Sequence, residues 1–199
     1  PFQVGEPGFN AILLRSCADL ADLADAFGEA EIAASSRARV KAGGEALEAR
    51  WNDEFGQYVC FDRAKGAQIR SPSVGGLLAA FAPISKERAL ELAKRIEDLA
   101  SRSTFLVPSH DPAAAEFDSL RYWRGPIWLI VNTLIANGLD RAGQGGTADR
   151  IRTDSVKLIR QSGFAEYYDP ISAEPCGGGE FTWTAAMVIE ILKLHGEKA

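Results

Sequence analysis

The amino-acid sequence predicts an all-α fold, because helical patterns cover most of its 199 residues. Apolar side chains recur every three or four positions along several long segments, as they do on the buried face of a helix. Cap residues precede several of these segments and glycines follow them, which marks helix starts and stops. Only residues 58–61 suggest a short extended piece. The residues that are candidates for a function lie in the connections between these helices.

The N-terminal part of the chain predicts two long helices. The first spans about residues 10–27, with Asn10 as its cap and Gly28 as its stop signal. Its apolar residues Leu13, Cys17, Leu20, Ala24 and Phe27 recur at steps of four and three positions. The second helix is rich in alanine and spans about residues 29–51, where Trp51 is expected to end it before a turn.

The middle of the chain predicts shorter helices and one long loop. A short helix is expected at residues 73–81, and a clearer one at 85–101 with Ser85 as its N-cap. Residues 103–122 contain two prolines and are expected to form a long loop. Long loops rich in aromatic and charged residues within a helical domain are usually functional.

Three further helices are expected toward the C-terminus. Pro126 is expected to open one that continues to about residue 138, since proline is favoured at the first helical position. Another spans about 146–162 with Thr147 as its cap, and the last spans about 182–195.

The composition is that of an ordinary globular domain, with 46% hydrophobic and 25% charged residues. The net charge of −5 and the absence of a cluster of Lys and Arg argue against a nucleic-acid partner. No apolar run reaches the roughly 18 residues of a membrane helix, so no membrane partner is expected. A cytoplasmic location follows by default.

The sequence predicts no metal site and no other cofactor. Cys17, Cys60 and Cys176 are odd in number and widely spaced, which fits neither a disulfide framework nor a Cys-rich metal site. His110 and His195 are too few and too distant for a metal triad.

Residues 121–128, Arg-Tyr-Trp-Arg-Gly-Pro-Ile-Trp, are the most informative stretch of the chain. Aromatic rings stack on the C–H faces of sugars, and a guanidinium supplies several fixed donors to sugar hydroxyls. Trp123 and Trp128 taken singly are typical of core aromatics. Arg121 and Arg124, however, are costly to bury without a specific partner, so the cluster favours a carbohydrate site.

Among the carboxylates, Glu166 is the candidate catalytic residue, because it lies in an aromatic-flanked connection after a helix. Asp169 is explained as a turn residue before Pro170, and Glu180 as an acid near the start of the last helix. The glycine run 177–179 lacks the Lys-Ser/Thr that a phosphate loop requires. Catalysis by a carboxylate is therefore the chemistry that the sequence favours.

Three motifs in this order give the chain a strong resemblance to the family 63 glycoside hydrolases. They are Tyr-Trp-Arg-Gly-Pro-Ile-Trp at 122–128, Gly-Phe-Ala-Glu-Tyr-Tyr-Asp-Pro at 163–170 and Phe-Thr-Trp-Thr-Ala-Ala at 181–186. The similarity looks closest to the bacterial members that hydrolyse glucosylglycerate or mannosylglycerate, and it covers nearly the whole chain.

The resemblance implies an (α/α)6 toroid of twelve helices, of which residues 1–199 would be the C-terminal half. It also implies an inverting reaction on a small α-glucoside or α-mannoside, in which Glu166 matches the general base. The matching motifs are expected to supply the substrate-binding residues Tyr122, Trp123, Arg124, Trp128, Tyr168, Glu180 and Trp183.

The general acid of the family is an aspartate in an upstream motif that this chain lacks. The chain also opens without methionine, and its only one is Met187, so we expect it to be part of a longer protein. Its expected partners are a small carbohydrate substrate and the missing N-terminal half of the domain, or a second copy through self-association.

Two other functions remain open at this point. A toroid sugar epimerase would use histidines as acid and base, for which only His110 and His195 are available. A non-catalytic sugar-binding or assembly module would use Trp123 and Arg124 only to hold a ligand.

Overall fold

A computed structural model describes residues 3–195 of the chain. Within this range the fold is predominantly helical, as predicted, with seven α-helices and a short 3₁₀ turn at Ala79–Phe81. The helices are α1 Pro7–Ala26, α2 Ala30–Glu48, α3 Val74–Leu78, α4 Lys86–Leu99, α5 Leu129–Arg141, α6 Gly145–Ser162 and α7 Thr182–His195. None of these helices combines the length and the apolarity needed to cross a bilayer.

Within residues 3–195, seven strands of two residues each lie outside the helices, where the sequence predicted a single extended piece. They are β1 Val4–Gly5, β2 Trp51–Asn52, β3 Gln57–Tyr58, β4 Phe61–Asp62, β5 Ala67–Gln68, β6 Tyr167–Tyr168 and β7 Pro175–Cys176. All pairs are antiparallel: β4 lies between β1 and β5, β2 pairs with β3, and β6 pairs with β7. Such short ladders fix loop conformations without forming a sheet layer.

The first helix begins before the predicted cap, Asn10. The carboxylate of Glu6 accepts hydrogen bonds from the backbone N–H groups of Gly8 and Phe9, and Pro7 occupies the first turn. Ser, Thr, Asp and Asn are the usual N-cap residues, and glutamate is not among them. The sequence therefore predicted Asn10, and not Glu6, as the cap. The helix therefore gains one turn at its N-terminus.

The second helix ends before Trp51, contrary to the prediction. It stops at Glu48, and Trp51 pairs with Tyr58 across the β2–β3 hairpin. Their rings meet edge to face at 5.1 Å, so the tryptophan gains an aromatic partner in the hairpin. Inside the helix, a Cβ at Gly43 would overlap the side chain of Leu14, so this glycine permits close packing of α1 on α2.

The fifth helix does not begin at Pro126 as predicted, but at Leu129. Ile127 exchanges backbone hydrogen bonds of 2.8 and 3.1 Å with Tyr168, which keeps the residues before the helix extended. Trp128 then takes the N-cap position without a side-chain cap bond. Likewise, α6 begins at Gly145 without a side-chain cap, and Thr147 lies within its first turn.

The helices pack in an alternating order. The odd-numbered helices contact one another in succession, α1 on α3, α3 on α5 and α5 on α7, while α2 packs on α1 and α6 packs on α5. Helix α4 contacts α6. The odd-numbered helices thus form one row, with the even-numbered helices beside it. Because α5 and α7 are neighbours in this row, the loops that precede them also lie next to each other.

Candidate active site

Two loops meet beside the N-termini of α5 and α7, and they carry most of the predicted site residues. Residues 118–128 precede α5, and residues 163–181 precede α7. Besides the Ile127–Tyr168 bridge, the loops are tied to α7, where the Thr184 hydroxyl donates a 2.7 Å hydrogen bond to the carbonyl of Ala165. The fold therefore brings together motifs that are up to 60 residues apart in sequence.

The side chain of Glu166 is held by both of its oxygens. The Tyr122 hydroxyl donates a 2.8 Å hydrogen bond to Oε1, and the backbone N–H of Gly178 lies 3.3 Å from Oε2. The bond to Glu166 raises the pKa of Tyr122 above its usual value, so at neutral pH this hydroxyl keeps its proton and donates it. The half-buried carboxylate is therefore oriented before any ligand arrives.

Three aromatic rings form a stack next to this carboxylate. Trp123 lies parallel to Trp128 at 4.5 Å between ring centroids, and Trp128 lies nearly parallel to Tyr167 at 5.0 Å. Tyr122 meets all three rings edge-on. Trp123 is 50% exposed, whereas Trp128 is 4% exposed and its indole N–H donates to the Tyr122 carbonyl. Trp123 thus presents a flat apolar surface that its neighbours hold in place.

Tyr168 has a different environment from the other motif residues. It is fully buried, and its hydroxyl donates to the carbonyl of Gly163 and accepts from the N–H of Ala165. Burial raises the pKa of Tyr168 to about 12. The side chain therefore closes the turn that leads into Glu166, and it offers no exposed surface in this conformation.

Three further predicted residues are exposed, and none has a direct contact with the Glu166 carboxylate among the described hydrogen bonds and ion pairs. The guanidinium of Arg124 approaches the carboxylate of Asp118 at 3.7 Å, and about half of each side chain remains accessible. Trp183, on the first turn of α7, is 53% exposed and lies 6.5 Å from Phe181 between ring centroids. Glu180 is exposed and adopts a left-handed backbone conformation with φ 51°.

Sequence reasoning did not single out two contributors to the site, Tyr167 and Ser119. Tyr167 belongs to the motif at 163–170, and only its stacking on Trp128 reveals its place. The Ser119 hydroxyl donates a 2.6 Å hydrogen bond to Asp169, which joins the two loops. A serine in a loop carries no sequence signal of such a partner 50 residues away.

The comparison with known proteins decides the family. Residues 1–184 match the mannosylglycerate hydrolase MGH1-like glycoside hydrolase domain. The chain belongs to this family. The mannosylglycerate hydrolase of Thermus thermophilus is 37% identical over 190 residues, which cover 95% of this chain and 45% of that protein. The glucosylglycerate hydrolase of Mycolicibacterium hassiacum is 36% identical over 87 residues, 44% of this chain and 20% of that protein.

A solved structure from the family has the same fold over the matched region. The crystal structure of a GH63 mannosylglycerate hydrolase from Thermus thermophilus in complex with Tris superposes with a TM-score of 0.90 at 37% identity. The match covers 95% of this chain and 45% of that one. The chain therefore spans less than half the length of these family members.

Proposed function

We propose that this chain is the C-terminal portion of the catalytic domain of an inverting α-glycosidase, with Glu166 as the general base. The observation that carries the proposal is the two-sided hold on the Glu166 carboxylate, beside an exposed tryptophan face. A base has to be aligned with the proton that it takes, and hydrogen bonds to both oxygens fix that alignment.

In this reaction Glu166 removes a proton from a water molecule, whose oxygen attacks the anomeric carbon. The bond from that carbon to the glycosidic oxygen breaks on the opposite face, and a carboxylic acid protonates the departing oxygen. Inverting enzymes keep the two carboxyl groups about 6.5–9.5 Å apart to admit the water. The acid is supplied by a part of the protein upstream of this chain, so the isolated chain is inactive.

The substrate is a small α-mannoside or α-glucoside. Family members of both specificities match the chain, and the one named for mannosylglycerate covers nearly all of it. Trp123 stacks on the sugar, while Arg124, Glu180 and Trp183 contact the sugar or its aglycone from the exposed rim. Tyr122 orients the base, and the buried Trp128 and Tyr168 act through the groups that they support.

The remaining part of the domain packs against the two ends of the helix row, completing an (α/α)6 toroid. The alternating order of helix contacts supports this arrangement. Both end helices expose apolar side chains, which on a monomer mark an interaction surface. Those on α1 are Phe9, Ile12, Leu13, Leu20 and Leu23, and those on α7 are Trp183, Ile189 and Leu192.

The histidine chemistry of an epimerase finds less support. The ring of His110 is buried, and its Nδ1 lies 3.0 Å from the carbonyl of Pro72. His195 ends α7, about 20 Å along the helix from the N-terminus that borders the site.

Hydrolysis by the complete protein tests the proposal. We expect turnover of mannosylglycerate or glucosylglycerate, and a proton NMR spectrum recorded early in the reaction should show the β-anomer of the released sugar. An α-anomer would contradict inversion. Binding without turnover would favour a sugar-binding module, and an isomerised sugar with no released aglycone would favour an epimerase.

A further inference from the structure

Two hydrogen bonds connect the same pair of loop segments beside the Glu166 carboxylate. Ser119 donates to Oδ2 of Asp169 at 2.6 Å, and Tyr122 donates to Oε1 of Glu166 at 2.8 Å. In each segment the two participating residues are three positions apart, 119 and 122 in one and 166 and 169 in the other. The segments are therefore fixed to each other at two points.

The carboxylate of Asp169 uses one oxygen for a turn and the other for the hydrogen bond from Ser119. Its Oδ1 accepts the N–H groups of Ile171 at 2.7 Å and Ser172 at 3.0 Å, which accounts for the predicted turn. Its Oδ2 is thereby left for Ser119. Burial raises the pKa of Asp169, but the hydrogen bonds from Ser119 and the turn outweigh it and hold the pKa below its usual value.

The backbone transmits this connection from Ser119 to Tyr122. The N–H of Arg121 donates to the carbonyl of Asp118 at 3.0 Å, and the N–H of Arg124 donates to the carbonyl of Arg121 at 2.6 Å. Tyr122 lies between them with φ 25°, a left-handed conformation that a tyrosine adopts only when its surroundings impose it. This conformation depends on the contacts that hold the loop, and one of them is the hydrogen bond from Ser119 to Asp169.

The loop is also tightly closed at its far end. The N–H of Asp118 donates to the carbonyl of Arg124 at 2.8 Å, and a Cβ at Gly125 would stand 2.7 Å from the carbonyl carbon of Asp118. Ser119 and Tyr122 therefore belong to one closed turn, 118–125.

We propose that Ser119 and Asp169 are positioning residues that hold the Tyr122 hydroxyl on the Glu166 carboxylate. The inference rests on the proposed role of Glu166 as general base. Neither residue of the pair touches substrate; both act through Tyr122. A misplacement of about 1 Å in such an arrangement can cost about 10²-fold in rate.

The test is a double-mutant cycle in the complete protein, with mannosylglycerate and glucosylglycerate as substrates. The variants are Ser119→Ala, Tyr122→Phe, the double variant and Ser119→Thr. We expect Ser119→Ala to lower kcat about 10-fold with little change in KM, and Ser119→Thr, which keeps the hydroxyl, to restore it. The double variant should be no slower than Tyr122→Phe alone, because Ser119 acts through the hydroxyl that is already missing.

The split between kcat and KM, together with the rescue by Ser119→Thr, separates positioning from a purely structural role. Rate losses that multiply in the double variant would overturn the inference. So would Ser119→Ala that lowers the melting temperature and leaves kcat unchanged.

Glu166→Gln distinguishes failure of this inference from failure of the proposed function. If Glu166→Gln is inactive while Ser119→Ala behaves as the unmodified protein, only the positioning role falls. If Glu166→Gln remains active, the general base lies elsewhere and both proposals fall.

Discussion

Gly177 and Glu166 are packed so closely that no larger residue fits at position 177. A Cβ there would stand 2.8 Å from the Cβ of Glu166 and 2.9 Å from Cε1 of Tyr167. Gly177 also has φ 72°, a conformation that favours glycine. Within the glycine run, Gly177 therefore allows the backbone to pass close to the side chain of Glu166, the candidate base.

Gly177→Ala is therefore expected to displace the Glu166 side chain and lower kcat by about 10-fold or more in the complete protein. Gly179→Ala is the matched control, since a Cβ at Gly179 meets nothing within 4 Å. Steady-state hydrolysis of mannosylglycerate by the two variants checks this. Equal activity of Gly177→Ala and Gly179→Ala would show that the close packing has no bearing on the reaction.

Arg124→Lys is expected to lower kcat/KM about 10-fold although it preserves the charge, because an ammonium cannot reproduce the planar fork of donors. Arg150→Lys serves as the control, because Arg150 pairs with Glu97 between two helices away from the site. Melting temperatures of both variants identify any effect on folding. Unchanged kinetics and unchanged stability of Arg124→Lys would mean that Arg124 does not contact substrate.

The lowered pKa of Asp169 predicts how the free energy of unfolding depends on pH. Its pKa in the folded chain lies below the ordinary value of 3.8, so its ionised form stabilises the fold above that pH. This contribution is lost as the pH falls through the lower, folded value. Asp169→Asn should cost about 1–2 kcal/mol at pH 7, and less as the pH drops below about 4. Chemical denaturation at several pH values measures this; a cost independent of pH would contradict it.

The exposed stripe on α1 predicts self-association of the isolated chain. Phe9, Leu13, Leu20 and Leu23 are exposed and, together with Ser16, follow the four–three spacing of a helix-packing seam. Replacing Leu13 and Leu23 by glutamine should weaken association about 10-fold or more, as judged by sedimentation equilibrium. Leu90→Gln, an exposed leucine on α4, is the control. A monomeric unmodified chain would contradict this prediction.

The sequence predicted the helices well where a local signal defines them. Ser85 caps α4 by accepting the N–H of Arg88, and the last helix lies at the predicted residues 182–195. It failed where a distant residue intervenes. Pro126 has the local signature of a helix start, but Ile127 pairs with Tyr168, more than 40 residues away, and the helix is delayed.

The same distinction applies to the candidate site. The motifs point to Glu166 and Trp123 as candidates, because their residue types carry the chemistry of sugar binding and proton transfer. The contacts that orient them have no such signature. Ser119, Gly177 and Tyr167 have partners that only the fold brings near, so their contacts became visible from distances alone.

The most direct test of this account is the rate of hydrolysis by Glu166→Gln in the complete protein. The amide keeps the size of the side chain but cannot take a proton from water, so kcat should fall by about 10²–10⁴-fold with an unchanged melting temperature. Activity near that of the unmodified protein would contradict the assignment of Glu166 as the general base.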